Sequence, residues 1–175
     1  GGGNVLYGSS GNGSTGHISS ALLLHLLGVP ATHVPYRGSA AAFQDLMAGR
    51  ISFQSDTISF LAEHIKNGTV NGIVIGTPER SPMAPDVPTA AEAGTPGYAV
   101  ATWYGIWAPK GTPADVVARI AEEIRRCGAS DELKTIWAGN GAEFSGMTPQ
   151  QFGGFVSAEV KRWAQVVKAS GAKID

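Results

Sequence analysis

Residues 4–16, NVLYGSSGNGSTG, pass from a short apolar run (Val5-Leu6-Tyr7) through a glycine-serine turn into a leucine-rich pattern opening at Ser14. That order reads as a strand, a tight turn and a helix N-terminus. At such a junction the first N–H groups of the helix lack intrahelical acceptors, and the helix dipole adds partial positive charge. Glycine lets the backbone approach a ligand closely, while Ser9, Ser10, Asn12, Ser14 and Thr15 offer side-chain hydrogen bonds. The stretch therefore predicts a small anion held on the turn.

Two phosphate-binding patterns overlap here. Gly11, Gly13 and Gly16 spell G-x-G-x-x-G, but the dinucleotide fingerprint also needs an acidic residue about 20 positions on to hold the ribose. The second strand ends instead in Pro35-Tyr36-Arg37-Gly38, and the first acidic residue is Asp45, inside a helical pattern. Gly8 and Gly13 followed by Ser14-Thr15 approach G-x-x-x-x-G-K-[ST], with Ser14 in place of the lysine that meets the phosphates. A nucleotide triphosphatase is thereby disfavoured. An NADP-dependent reductase using the glycine turn, with Arg37 toward a 2′-phosphate, stays as the alternative, although no Tyr/Lys or His/Asp pair is patterned beside it.

The 175 residues suffice for one domain or two small lobes. Charged residues make up 15% of the chain and the net charge is −1; without a basic run, nucleic acid is not an expected partner. No apolar stretch reaches bilayer length. The single Cys127 excludes an internal disulfide, and no His/Cys/Asp/Glu set has metal spacing, so neither metal nor cofactor is expected. Nothing at residue 1 resembles a signal peptide, and Gly1-Gly2-Gly3 reads as a linker scar or a truncation point.

Further along, a helix is expected from Ser14 to Leu27, with Ile18, Ala21, Leu22, Leu24, Leu26 and Leu27 toward a core and Gly28 as its stop. His17 lies next to the proposed site, either structural or a ligand; His25 is expected to be a partly buried structural residue. Ala31–Tyr36 is a second strand. Arg37-Gly38-Ser39 repeats the turn device, with Ser39 capping a helix over Ala40–Ala48. Ile51–Ser55 is a third strand, Asp56 caps a helix over Ile58–Lys66, and Gly72–Ile75 is a fourth strand. This alternation indicates a parallel sheet with right-handed crossovers. The proline-rich stretch Thr77–Gly97 reads as a long ordered loop with a short helix at Thr89–Ala93, and Tyr98–Ala108 as a β-prone aromatic run. Thr112-Pro113 opens the first of three helices, at Val116–Cys127, Asp131–Trp137 and Pro149–Ser170, with a short strand near Ala142–Phe144.

Five segments in register resemble the periplasmic solute-binding proteins of tripartite tricarboxylate transporters, the Bug family. They are YGSSGNGSTGH (Tyr7–His17), HVPYRGSAAAFQDLMAGRISFQSDT (His33–Thr57), RSPMAPDVPTAAEAGTPGY (Arg80–Tyr98), TWYGIWAPKGTP (Thr102–Pro113) and the stretch from Met147 to Trp163. The resemblance implies an α/β fold, a parallel sheet flanked by helices of the periplasmic binding protein type II kind (a Venus flytrap), without enzymatic activity. It implies a periplasmic location, a small carboxylate as ligand, and membrane transporter subunits as partners. Carried over by motif, the ligand-binding residues are Ser9, Ser10, Asn12, Gly13, Ser14, Thr15, Tyr36, Arg37, Gly38, Ser39, Asp56 and Thr57.

Family members carry a first-lobe segment ahead of the first of these motifs, whereas this chain starts almost at it, so the resemblance implies a truncated flytrap. Residues 4–102 are then the second lobe, and residues 103–175 a segment that would return to the first. Its apolar faces (Val116, Val117, Ile120, Ile124; Phe152, Phe155, Val156, Trp163, Val166, Val167) are expected to fold back on residues 5–76, or to pair two copies as a homodimer or tail swap. A stray interaction domain is the third reading.

Overall fold

The structure, a computed structural model, describes residues 4–170. Val5–Ser9 forms β1, the central strand of a parallel sheet ordered β2-β1-β3, with β2 at Ala31–Pro35 and β3 at Phe53–Gln54. β1 pairs with β2 from Val5–Ala31 through Ser9–Pro35, and with β3 at Tyr7–Phe53 and Gly8–Gln54. Helices α1 (Thr15–Leu27) and α2 (Ser39–Met47) cross between the strands, and α3 (Ile58–Lys66) follows β3. One crossover moves to one side of β1 and the next to the other side. Right-handed connections then place α1 and α2 on opposite faces.

α1 is fixed at both ends by its own sequence. Ser14 Oγ accepts the His17 N–H at 3.2 Å, and Gly28 closes the helix in the left-handed conformation at φ 64°. Its buried residues are not the expected leucines but His17, Ile18, Ser19 and Ser20; Leu26, Leu27 and His25 are exposed. The reason is close approach. A Cβ at Gly16 would collide with the Ser55 carbonyl, so the helix start lies against the end of β3 and takes small residues there. Tyr7, Ile18, Ala42, Ile51 and Ala62 form the core around the sheet.

Other expectations change in detail. α2 starts one residue early, with Gly38 at φ 103° in the cap position in place of Ser39. Thr57, not Asp56, occupies the cap position of α3. The third strand shortens to Phe53–Gln54; Ser52 takes the Leu6 carbonyl at 2.7 Å but answers the Leu6 N–H with its hydroxyl, so the ladder does not extend. Gly72–Ile75 is no strand. Ile75 makes one isolated parallel bridge with Thr89, and the neighbouring prolines Pro78, Pro82, Pro85 and Pro88 carry no N–H for a longer ladder. Thr89–Ala93 is a single turn closed by a reciprocal capping box: Thr89 N–H donates to Glu92 Oε2 at 2.7 Å and Glu92 N–H to Thr89 Oγ1 at 3.3 Å.

Of the described residues, 4–102 and 163–170 form one compact unit, and Trp103–Arg162 forms another. The second contains α4 (Ala114–Gly128), α5 (Asp131–Ala138) and the greater part of α6 (Pro149–Ser170). Pro113 sits in the cap position of α4, and Thr112 donates its hydroxyl to the Pro109 carbonyl at 2.9 Å, one residue off the expected arrangement. Neither Tyr98–Ala108 nor Ala142–Phe144 forms a strand. β-propensity describes fitness for a sheet surface, and among the described residues no neighbouring strand offers one. Trp103, Trp107, Phe152 and Phe155 cluster instead, with ring centroids 5.2–6.4 Å apart. Phe144 covers Gly128, where a Cβ would meet the ring at 2.7 Å. On α4, Val116 and Ile120 are exposed, while Val117 and Ile124 are half-buried. Gly1-Gly2-Gly3 and residues 171–175 lie outside the described residues.

Candidate functional site

Parallel pairing brings the carboxyl ends of all three strands to one edge of the sheet, and each strand delivers a helix N-terminus there within a few residues. The junctions touch. Tyr36 N–H donates to the Ser9 carbonyl at 3.0 Å, Gln54 Nε2 donates to the Ser39 carbonyl at 3.3 Å, and Gly16 lies against Ser55. This edge, where the strand order turns from β2 to β3 around β1, is where open α/β sheets bind ligands. Three dipole ends add partial positive charge to it. Ser14 caps α1, whereas α2 and α3 have no side-chain cap hydrogen bond.

The motif residues divide into two groups at this edge. Ser10, Asn12, Thr15 and Arg37 are exposed, and among the described residues Arg37 has no ion pair or side-chain hydrogen bond. Ser14 and Ser39 are half-buried at the first turns of α1 and α2, and the Thr57 Oγ1 accepts from the Ser59 hydroxyl at 3.1 Å.

The second group supports the turn. Ser9 is fully buried; its Oγ accepts the Gly11 N–H at 3.2 Å and lies 2.7 Å from His33 Nε2. Gly13, at φ 73°, donates its N–H to His17 Nδ1 at 3.1 Å. The Tyr36 hydroxyl donates to Asp45 at 2.8 Å, and Arg50 binds the other Asp45 oxygen at 2.7 Å. The Arg50 and then the Tyr36 hydrogen bond hold the Asp45 carboxyl below its ordinary range; desolvation, then the Asp45 bond, pushes the Tyr36 phenol up. Asp56 accepts from Thr57 N–H at 2.9 Å and from Gln54 Nε2 at 2.8 Å. Its negative charge is thus bound to two donors at the start of α3.

Two further residues belong to this edge; both lie inside the family-like segment His33–Thr57 but were not among the expected ligand-binding residues. Gln54 ties the start of α2 to Asp56, and its Oε1 is buried without a hydrogen-bond partner among the described residues. His33 stacks on His17 at 3.7 Å between ring centroids and packs beside Tyr7 at 5.0 Å. Burial first, then the neighbouring His17, lowers His33 to about 4; burial also lowers His17. The strand register sets their places: Tyr7 pairs with His33, and Gly8 with Gln54.

Among the described residues no group of three His, Cys, Asp or Glu could hold a metal ion, and no helix is long and apolar enough to cross a membrane.

Comparison with known proteins agrees with this architecture. The model of the tripartite tricarboxylate transporter family receptor matches residues 2–172. Protein BugT of Bordetella pertussis is 32% identical over 172 residues, 98% of this chain and 53% of BugT. A Rhodopseudomonas palustris protein solved with adipate superposes with a TM-score of 0.83 at 36% identity, covering 96% of this chain and 56% of that one. MatC from the same organism, solved with bound malate, gives a TM-score of 0.79 at 35% identity, covering 93% and 56%. The chain thus spans about half the length of BugT and of either solved relative. By its match along nearly the whole sequence, the chain belongs to the tripartite tricarboxylate transporter receptor family.

Proposed function

We propose that this chain is the carboxylate-holding lobe of a periplasmic receptor that captures a small carboxylate and delivers it to the membrane subunits of a tripartite transporter, without catalysing a reaction. The observation that carries this reading is the convergence of three helix N-termini on one sheet edge, two of them without a side-chain cap. A carboxylate there meets partial positive charge and free N–H donors. Ser10, Asn12, Ser14, Thr15, Ser39 and Thr57 supply polar contacts, Gly38 lets the ligand near the α2 backbone, and Arg37 supplies the full charge. Ser9, Gly13, Tyr36 and Asp56 shape the edge from behind.

The ligand class is supported by the relatives solved with adipate and with malate. Residues 4–102 are in this reading the ligand-bearing lobe and residues 103–175 the segment returning to the other lobe. When that lobe is absent, two copies pair or exchange the segment, which light scattering reads directly.

Thermal melting against adipate, malate, citrate, acidic amino acids and NADP⁺ tests the function. A carboxylate is expected to raise the melting temperature by an amount that grows with its concentration, and Arg37→Ala to remove the shift. Stabilisation by NADP⁺ alone overturns the reading in favour of a reductase.

A further inference from the structure

Two imidazoles stand directly behind the glycine-serine turn. His17 comes from the first turn of α1 and His33 from the middle of β2, and their rings are nearly parallel, 9° apart. Each reaches the turn. His17 takes the Gly13 N–H, and His33 meets Ser9 Oγ, which in turn takes the Gly11 N–H.

Histidines beside an anion site invite a role as cationic ligands. The geometry points the other way. A ring nitrogen that accepts an N–H carries no proton, so His17 is the neutral Nε2–H tautomer. It is only 4% exposed. Stacking at 3.7 Å leaves no room for two positive rings.

We propose that His17 and His33 are positioning residues of the anion turn: a neutral stacked pair that anchors Gly13 directly, and Gly11 through Ser9, without meeting the ligand. The proposal rests on the reading of this turn as a carboxylate site. It also predicts that carboxylate affinity is flat across the pH range in which an ordinary histidine titrates. Tyr7 on β1 is the other titratable ring beside the pair, 5.0 Å from His33 and 6.2 Å from His17, and Phe53 on β3 stacks on Tyr7 at 5.6 Å. Among the described residues no carboxylate or cationic side chain hydrogen-bonds to either imidazole. The lowered protonation of both rings agrees with this.

The test combines imidazole NMR, exchange of the Gly13 amide and adipate or malate titration of the 175-residue chain. His17 is expected as the Nε2–H tautomer, without protonation between pH 8 and 6. His17→Phe keeps a stacking ring but removes the acceptor; it should speed Gly13 exchange and weaken binding, each about tenfold or more. His17→Asn, whose side-chain oxygen falls near the Nδ1 position, should restore both to within about threefold. His17 titrating near 6.5, affinity rising as pH falls from 8 to 6, or no rescue by Asn overturns the proposal. If neither acid binds the unaltered chain, the receptor reading fails separately, while the tautomer and the Gly13 exchange still decide the role of the pair.

Discussion

Residues 5–57 and residues 112–157 are both ordered, but by different means. In the first region side-chain hydrogen bonds reach far along the chain: Ser9 to His33, Ser19 to Ser55, Leu6 N–H to Ser52. In the second, the side-chain hydrogen bonds among described residues join positions three or four apart, such as Arg126–Glu123, Thr135–Asp131 and Asn140–Ile136. The first region has fully buried Ser9, Ser19 and Ser20; the second leaves Ile120 at 46% and Ile136 at 49% exposure. A helix needs only its own caps and neighbouring pairs to be recognisable, whereas a binding edge needs partners from distant strands. The first region carries its tertiary instructions within itself, and the second carries mainly local ones.

The largest expected effect lies at the closest long-range approach. Gly16→Val places a branched side chain against the Ser55 backbone carbonyl, which cannot move without shifting β3. A loss of about 3 kcal/mol or more is expected, seen as a collapse of the cooperative melt. A melt like that of the unaltered chain would show that α1 and β3 are not locked together.

Ser9→Ala comes next. It strips a buried hydroxyl from the Gly11 N–H and leaves His33 without its partner, for an expected loss of about 1–3 kcal/mol by denaturant titration.

A graded effect follows from pH. His33 binds its proton at about 4 in the fold but near 6.5 when unfolded, so the unfolded chain holds more protons between those values. Its contribution to stability is complete above pH 6.5 and declines as pH falls toward 4. His33→Gln should flatten that part of the melting profile relative to the unaltered chain.

The smallest effect belongs to the second region. Ile120→Glu on α4 changes an exposed side chain and should alter stability by no more than about 0.5 kcal/mol. A large loss would mean that this face is covered in solution, and the contrast between the regions would narrow.

The same contrast governs what can be read from sequence. The three strand–turn–helix units were legible because Gly8, Gly13, Gly28 and Gly38 punctuate apolar runs, and each punctuation has a local cause. The aromatic run at Tyr98–Ala108 read as a strand because propensity describes one chain and says nothing of a partner strand. At the site, the turns were visible as motifs. The roles of Gln54 and His33 were not, although both lie in a quoted segment, since a polar residue in a strand acquires its role only from the register that pairs it with Gly8 or Tyr7. The buried face of α1 was misassigned to its leucines for a related reason: the contact of Gly16 with Ser55 is fixed by β3, 39 positions downstream by numbering.

The place of β1 in the sheet also sets an order of assembly. Among the described residues it is the earliest strand and the central one of its sheet, and both of its partners lie later in sequence. Val5 meets Ala31 only after α1 has been made, and Tyr7 meets Phe53 only after α2. Each pairing closes a long loop before its hydrogen bonds offset the entropy lost, which slows folding. Until Ala31–Pro35 and Phe53–Gln54 are made, β1 lacks the two strands that fill its edges in the fold, and an unpaired edge is where a strand joins another chain. The three-stranded sheet is complete only once residue 54 has emerged, a consequence of the topology that is separate from anything the finished edge binds.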